Sequence, residues 1–224
     1  MTNSMGIWKR FVRLPGGKHG DTVGIASERA IGCLIELVQR RRPKRVLELG
    51  AGIGTLTSAV LETAREAGLS AEPGFTFYTI ESHPFCLEQP NTNLRDFKGG
   101  YRVVQSITAV PRDLLFDLIV VDGGGDLPND LGVIDFSGRL AQHGVILLEG
   151  GRGFQRDKIL EWYGQRPHVI AKISPAQATL DTGMEGVTAR QKPFRLFVFE
   201  PSVGERLGLR LHHFWCWLRD RLRK

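Results

Sequence analysis

The chain has 224 residues, of which 42% are hydrophobic and 24% are charged. This composition is typical of a folded globular domain, and the length suits a single domain that needs no disulfide or structural metal. The formal net charge of +6 lies at the two ends, because residues 1–20 and 205–224 each carry +4 while residues 21–204 carry −2. A basic body suited to nucleic acid is therefore excluded, although two basic terminal segments remain.

Two further features bear on the compartment. No apolar run is long enough for a membrane span, and the N-terminus lacks the apolar core of a signal peptide. Cys33, Cys86 and Cys216 are odd in number and lack the spacing of zinc ligands. We therefore expect a cytoplasmic protein with free thiols and no site of the zinc-finger type.

The pattern of apolar residues predicts alternating helices and strands. Residues 1–23 form a basic segment in which Trp8, Phe11 and Val12 are expected to cover the substrate pocket as a flap. Ser27 is a helix cap, and Pro43 ends the helix that follows it. Further along, the pattern predicts strands at 45–49, 75–80, 101–104, 116–121, 145–149, 169–173 and 194–199, helices at 56–67, 84–97, 128–142 and 154–163, and an exposed loop at 174–192.

This alternation predicts a doubly wound α/β fold over residues 24–200, with a mostly parallel seven-stranded sheet and helices on both faces. In such sheets the ligand binds outside the carboxyl ends of the strands. Several polar or glycine-rich positions fall there: Glu48 with the glycine loop, Glu81, Ser106, Asp122 and Glu149. The sequence therefore predicts a ligand site at this edge.

The loop after the first predicted strand contains Gly50, Gly52 and Gly54, which allow a tight turn and a bare backbone surface. It contains no lysine, so it is not a phosphate-binding P-loop. Thr55 replaces the last glycine or alanine of the dinucleotide-binding fingerprint. Glu81 ends the next strand, where a carboxylate can accept hydrogen bonds from both hydroxyl groups of a ribose.

Three segments together, VLELGAGIGTLT at 46–57, the strand that ends in Glu81, and FDLIVVDGG at 116–124, resemble a class I S-adenosylmethionine-dependent methyltransferase. The resemblance implies S-adenosylmethionine as cofactor, a small-molecule acceptor, and Asp122 facing the cofactor or substrate. A cationic sulfonium without phosphate suits a site lined by acids. The other cofactor-binding residues implied are Glu48, Gly50, Gly52 and Gly54 at the methionine end, Glu81 and Ser82 at the ribose, and Ser106 and Ile107 at the adenine.

The helix before the glycine loop and the FRLFVFE segment at 194–200 are similar to those of catechol-type O-methyltransferases, which implies transfer to oxygen. Metal-dependent members have an Asp after the fourth strand and an Asp-Asn pair after the fifth. Asp122 matches the first position, but Glu149-Gly150 does not match the second. A divalent metal is therefore not favoured.

A hydroxyl nucleophile must lose its proton to a base. Asp122, His83, His143 and Glu149 are candidates, and Asp122 and His83 are predicted to be catalytic. An alternative interpretation of His83 is that it caps the helix beginning at Pro84. His143 precedes a glycine in a turn, which favours a structural role.

The last predicted element is a basic amphipathic helix at 201–224, whose apolar stripe includes Phe214 and Trp215. It suits docking on the body, a homodimer contact, or a peripheral contact with an anionic membrane. Two alternative functions use these ends: an RNA methyltransferase, which is less favoured because no RNA-binding motif is present, and a non-catalytic cofactor-binding scaffold recruited through its tail.

Overall fold

The computed structural model describes residues 2–14, 25–123, 135–150, 152–173, 179–181, 188–190 and 194–202. The helices in this part are α1 (Ser4–Val12), α2 (Glu28–Arg41), α3 (Thr55–Glu66), α4 (Pro84–Asn93) and α5 (Gly153–Tyr163). The strands are β1 (Arg45–Leu49), β2 (Thr76–Ile80), β3 (Arg102–Val104), β4 (Phe116–Val121), β5 (Leu140–Glu149), β6 (His168–Ile173), β7 (Thr179–Asp181), β8 (Thr188–Arg190) and β9 (Phe194–Phe199).

Seven of the strands form one sheet in the order β3-β2-β1-β4-β5-β9-β6. The pairs on the β3 to β5 side are all parallel, whereas β9 lies antiparallel between β5 and β6. The sheet is therefore mixed, and the prediction of a mostly parallel seven-stranded sheet is confirmed. The chain runs outward from β1 through β2 to β3 and then returns to β4 on the other side of β1. This reversal of strand order lies between β1 and β4 and opens a crevice at their carboxyl ends.

Apolar side chains cover both faces of the sheet, because successive residues of a strand point to opposite sides. Val46 of β1 belongs to the core shared with α1, α2 and α3, whereas Leu47 and Leu49 belong to the core on the α5 face. Ser27 caps α2 as predicted, accepting a hydrogen bond from the N–H of Ala30. Burial on both faces holds the strands in register and fixes where their carboxyl ends lie.

The N-terminal helix α1 belongs to the core. Its side chains Trp8, Phe11 and Val12, which the sequence analysis assigned to a flap, are buried against α2 and α3. Arg10 joins α1 to α3 by donating hydrogen bonds to Ser58 and Glu62. Trp8, Phe11 and Val12 therefore stabilise the body of the fold. Residues 15–23 of the expected flap lie outside the described residues.

Two predicted elements differ from the structure. The helix predicted at 128–142 is wrong over residues 135–142, because residues 135–139 form a turn with Gly138 at a φ of 71° and β5 already begins at Leu140. The carbonyl groups of Val110, Pro111 and Leu114 accept hydrogen bonds from Arg139, which fixes this turn against the chain that enters β4. The loop predicted at 174–192 contains the short antiparallel pair of β7 and β8.

The predicted C-terminal helix at 201–224 lies, from residue 203 onward, outside the described residues. Within the part of the chain that the structure describes, no helix combines the length and the apolar character needed to cross a membrane.

Candidate functional site

The glycine loop turns the chain from the end of β1 into α3. Gly50, Gly52 and Gly54 have φ angles of 88°, 53° and 97°, a region that side-chain-bearing residues rarely adopt. A Cβ atom added to Gly50 would lie 2.1 Å from the Cα of Gly123, so no other residue fits there. The loop therefore packs backbone against backbone beside the end of β4.

Backbone hydrogen bonds join the ends of β1, β2 and β4 at this edge. The N–H of Gly50 donates to the carbonyl of Ile80 over 2.9 Å, and the N–H of Asp122 donates to the carbonyl of Leu49 over 3.0 Å. The side chain of Asn93 in α4 donates to the carbonyl of Ile53 over 3.0 Å. Three strands and one helix thus hold the loop in one conformation. Asn93 was missed by sequence reasoning, since nothing in its local pattern marks a contact 40 residues away.

Glu81 lies at the carboxyl end of β2 with only 3% of its surface exposed. Its Oε1 accepts hydrogen bonds from the N–H groups of Ser82 and His83, each over 2.8 Å, and its Oε2 accepts one from the N–H of Gly52 over 2.8 Å. Three backbone donors therefore hold the carboxylate beside the glycine loop. The structure brings Glu81 and Gly52 together, as their predicted common role requires.

Glu48 lies beneath the loop, in β1, and is 1% exposed. Its Oε2 accepts a hydrogen bond from the hydroxyl of Thr57 over 2.6 Å, and the hydroxyl of Thr79 on β2 also interacts with the carboxyl group. Burial, together with the nearby charges of Asp122 and Glu81, raises the pKa of Glu48 to about 8. The carboxyl group is therefore mainly protonated at neutral pH.

Asp122 lies at the carboxyl end of β4 and contacts an arginine that sequence reasoning missed. The Nη2 of Arg152 lies 3.6 Å from Oδ1 of Asp122 and also donates to its carbonyl oxygen, and the Nε donates to the carbonyl of Glu149 over 2.7 Å. Both charged side chains are 19% exposed. Arg152 therefore joins the ends of β4 and β5. Arg152 stands alone among glycines after β5, and nothing in that local sequence indicates its partner.

The remaining predicted residues take several positions. His83 is exposed and is the N-cap residue of α4, as its alternative interpretation predicted, with its carbonyl accepting a hydrogen bond from the N–H of Leu87, although its side chain makes no cap hydrogen bond. Ser82 is exposed beside it. Ser106 is exposed after β3, where its hydroxyl accepts a hydrogen bond from the N–H of Thr108, and Ile107 is half-buried next to it. All four follow the carboxyl ends of β2 or β3.

His143 lies away from the carboxyl ends of the parallel strands, whereas Glu149 ends β5 at this edge but has its carboxyl group buried. The ring of His143 contacts the carbonyl of Glu200 over 3.0 Å, at the end of the antiparallel strand β9 and hence at the opposite edge of the sheet. The carboxylate of Glu149 is buried and accepts a hydrogen bond from the N–H of Ser27 over 3.2 Å. Among the described residues, no cluster of three His, Cys, Asp or Glu side chains could hold a metal ion.

Comparisons with known proteins agree with this architecture. No protein-family model matches the sequence, and no curated protein matches it. Solved structures do match. The O-methyltransferase TomG of Streptomyces achromogenes, solved with S-adenosylmethionine and involved in tomaymycin synthesis, is 14% identical with a TM-score of 0.58, and the match covers 90% of this chain and 91% of TomG.

Two other proteins with matching structures are described as acting on different acceptors. The precorrin-6y C5,15-methyltransferase of Geobacter metallireducens is 16% identical with a TM-score of 0.57 over 85% of this chain and 95% of its own. A proposed RNA methyltransferase of Pyrococcus horikoshii is 14% identical with a TM-score of 0.52 over 91% and 100%. The chain therefore has the Rossmann-like fold of S-adenosylmethionine-dependent methyltransferases, a fold that does not by itself specify the acceptor.

Proposed function

We propose that the chain is an S-adenosylmethionine-dependent methyltransferase that transfers a methyl group to a small-molecule acceptor, at oxygen. The observation that carries the proposal is the contact between Glu81 and Gly52, which places a carboxylate against a bare glycine loop at the reversal of strand order. The loop, residues 50–54, contains no basic side chain, so it suits a cationic nucleoside better than a phosphate.

The residues present fit this cofactor. Gly50 and Gly54 pack closely against Gly123 and Leu94, and the loop from residue 50 to residue 54 carries no charged side chain. A carboxylate has about four acceptor positions, and three of those on Glu81 are used, which leaves one position for a ribose hydroxyl in place of the two hydroxyls expected from the sequence. Ser82 would lie beside the ribose, and Ser106 and Ile107 beside the adenine.

When bound, the sulfonium supplies the methyl group and leaves as a neutral thioether. The task of the protein is to align the acceptor oxygen, exclude water and receive the acceptor proton. We assign the exposed His83, next to Glu81, as the candidate base. Asp122 contributes a carboxylate at the end of β4, where its contact with Arg152 fixes its position.

A divalent cation fits this arrangement poorly. The guanidinium of Arg152 already places a positive charge 3.6 Å from Asp122, and the carboxylate of Glu149 is directed to the N–H of Ser27. Like charges repel strongly in a partly buried site, so a second cation at Asp122 is disfavoured. We therefore expect methyl transfer to continue in the presence of EDTA.

The test has two stages. Isothermal titration calorimetry of the full chain with S-adenosylmethionine and S-adenosylhomocysteine measures cofactor binding; if neither ligand binds, the proposal is wrong. Transfer of a labelled methyl group is then followed across phenols, carboxylic acids, amines and total RNA. Labelling of a phenol or carboxylic acid supports the proposal, whereas labelling of RNA alone, or of no acceptor, contradicts the small-molecule assignment.

A further inference from the structure

The buried carboxyl of Glu48, which the resemblance places at the methionine end of the cofactor, has no role in the methyl transfer proposed above. It lies in β1 directly before the glycine loop, with 1% of its surface exposed. One oxygen accepts a hydrogen bond from Thr57, at 2.6 Å, and the hydroxyl of Thr79 on β2 also interacts with the carboxyl group. A buried acid whose described partners are two neutral hydroxyls costs free energy, so its retention at this edge of the sheet calls for a reason.

The groups around Glu48 explain why it is uncharged in the free protein. On α3 its neighbour is the neutral hydroxyl of Thr57, and opposite it on β2 lies the neutral Thr79. The charged groups that act on it are the carboxylates of Glu81, at the end of β2, and Asp122, at the end of β4.

Burial raises the pKa of the Tyr101 phenol, next to β3, and the charge of Glu48 raises it further. Arg152 contacts Asp122, one of these two acids. Burial and two acids therefore raise the pKa of Glu48 to about 8, with no basic group among the causes.

We propose that Glu48 makes the crevice selective for the charge of its ligand, losing its proton to solvent when the sulfonium cofactor binds and keeping it when the neutral thioether product binds. The inference rests on the proposed function. A positive charge brought into a buried site favours the ionised form of a neighbouring carboxyl, because the attraction is poorly screened there. The thioether lacks that charge, although both ligands share the same nucleoside and amino-acid groups.

The protons and charges balance over one cycle of methyl transfer. Methyl transfer converts a sulfonium and an acceptor hydroxyl into a thioether and a methyl ether, and the acceptor proton is released. With the cation gone, Glu48 takes up one proton. The ionised form of Glu48 thus favours the reactant complex over the product complex, which lowers inhibition by product as pH rises.

The test is calorimetric proton counting. Titrations of wild-type protein with each ligand are run in phosphate and in Tris, whose ionisation enthalpies differ, at several pH values from 6 to 9. At pH 7 we expect S-adenosylmethionine to release about half a proton or more beyond the number released by S-adenosylhomocysteine. The difference should fall at pH 9, where Glu48 is already ionised, while the preference for the sulfonium ligand rises by roughly tenfold between pH 6 and 9.

Two variants test whether the extra proton released on binding of S-adenosylmethionine comes from Glu48. Glu48→Gln keeps the shape of the protonated side chain and should abolish the difference between the ligands at every pH. The matched control Glu36→Gln, at an exposed position of α2, should behave as wild type. Thr57→Val removes the hydrogen bond that favours ionisation, and should shift the pH at which the difference disappears upward. This variant and the wild-type pH series keep the proposal testable if Glu48→Gln folds poorly.

The outcomes separate the two claims. Equal proton release with both ligands in the wild type overturns the role of Glu48 and leaves the methyltransferase proposal standing. A difference that persists in Glu48→Gln also overturns it, since another group then carries the proton. Failure of both ligands to bind overturns the proposed function itself.

Discussion

The carboxylate of Glu81 accepts a hydrogen bond from the backbone N–H of Gly52 over 2.8 Å. The two residues are 29 positions apart and belong to the ends of neighbouring strands, so the bond ties the glycine loop to the end of β2. The shape of the loop therefore depends on the same side chain that we propose binds the ribose.

We expect Glu81→Gln to weaken binding of S-adenosylmethionine on the order of 10- to 100-fold, equivalent to about 1–3 kcal/mol. The amide replaces one acceptor oxygen by an NH2 donor, which then faces a backbone N–H donor. The side chain also loses its negative charge. Calorimetry against wild type measures the effect, with Glu36→Gln as the control. An unchanged dissociation constant would show that the ribose does not lie at Glu81.

Gly50 and Gly74 provide a matched pair for the close approach of the loop to β4. Both have a φ of 88°, but a Cβ at Gly50 would lie 2.1 Å from Gly123, whereas nothing lies within 4 Å at Gly74. We expect Gly74→Ala to cost about 1–2 kcal/mol of unfolding free energy through backbone strain alone. Gly50→Ala should cost at least about 2 kcal/mol more, because strand ends must separate. Urea denaturation measures both; equal losses would contradict the close packing.

The contact between Asp122 and Arg152 predicts energetic coupling. Asp122→Asn, Arg152→Met and the double variant form a mutant cycle in which each single change leaves one partly buried charge without its partner. We expect a coupling energy on the order of 1 kcal/mol or more in chemical denaturation. Strictly additive losses would mean that the two side chains do not interact in solution.

Glu48 predicts a specific dependence of stability on pH. Its pKa is about 8 in the folded protein against an ordinary value of 4.5, so the folded state binds more protons than the unfolded state between these values. The stabilisation due to the protonated form is therefore fully present below about pH 4.5 and is lost as pH rises through 8.

The expected loss is on the order of a few kcal/mol between pH 5 and 9. Denaturation of wild type and Glu48→Gln at each pH measures it, since the neutral amide removes this contribution. The variant should gain stability relative to wild type as pH rises, and parallel curves for the two proteins would place the titration elsewhere.

Much of the site could be predicted from local sequence. The run from Arg45 to Gly54 contains a buried strand followed by glycines at the positions that need positive φ, and both features depend only on neighbouring residues. Glu81 could be placed because a carboxylate that ends a buried strand must lie at the sheet edge. The helix predicted through residue 142 failed because the strand conformation at the start of β5 depends on the pairing of Leu140 with Phe116 of β4.

Sequence alone thus determined the alternation of elements, the mostly parallel sheet and the acidic, glycine-rich edge, because hydrophobic period and backbone freedom are local properties. Only the tertiary structure decided that Arg152 is the partner of Asp122, that β9 lies between β5 and β6, and that Glu48 is a buried and protonated acid. Pairing, burial and charge coupling arise when distant segments meet, and their energies depend on separations that no local pattern encodes.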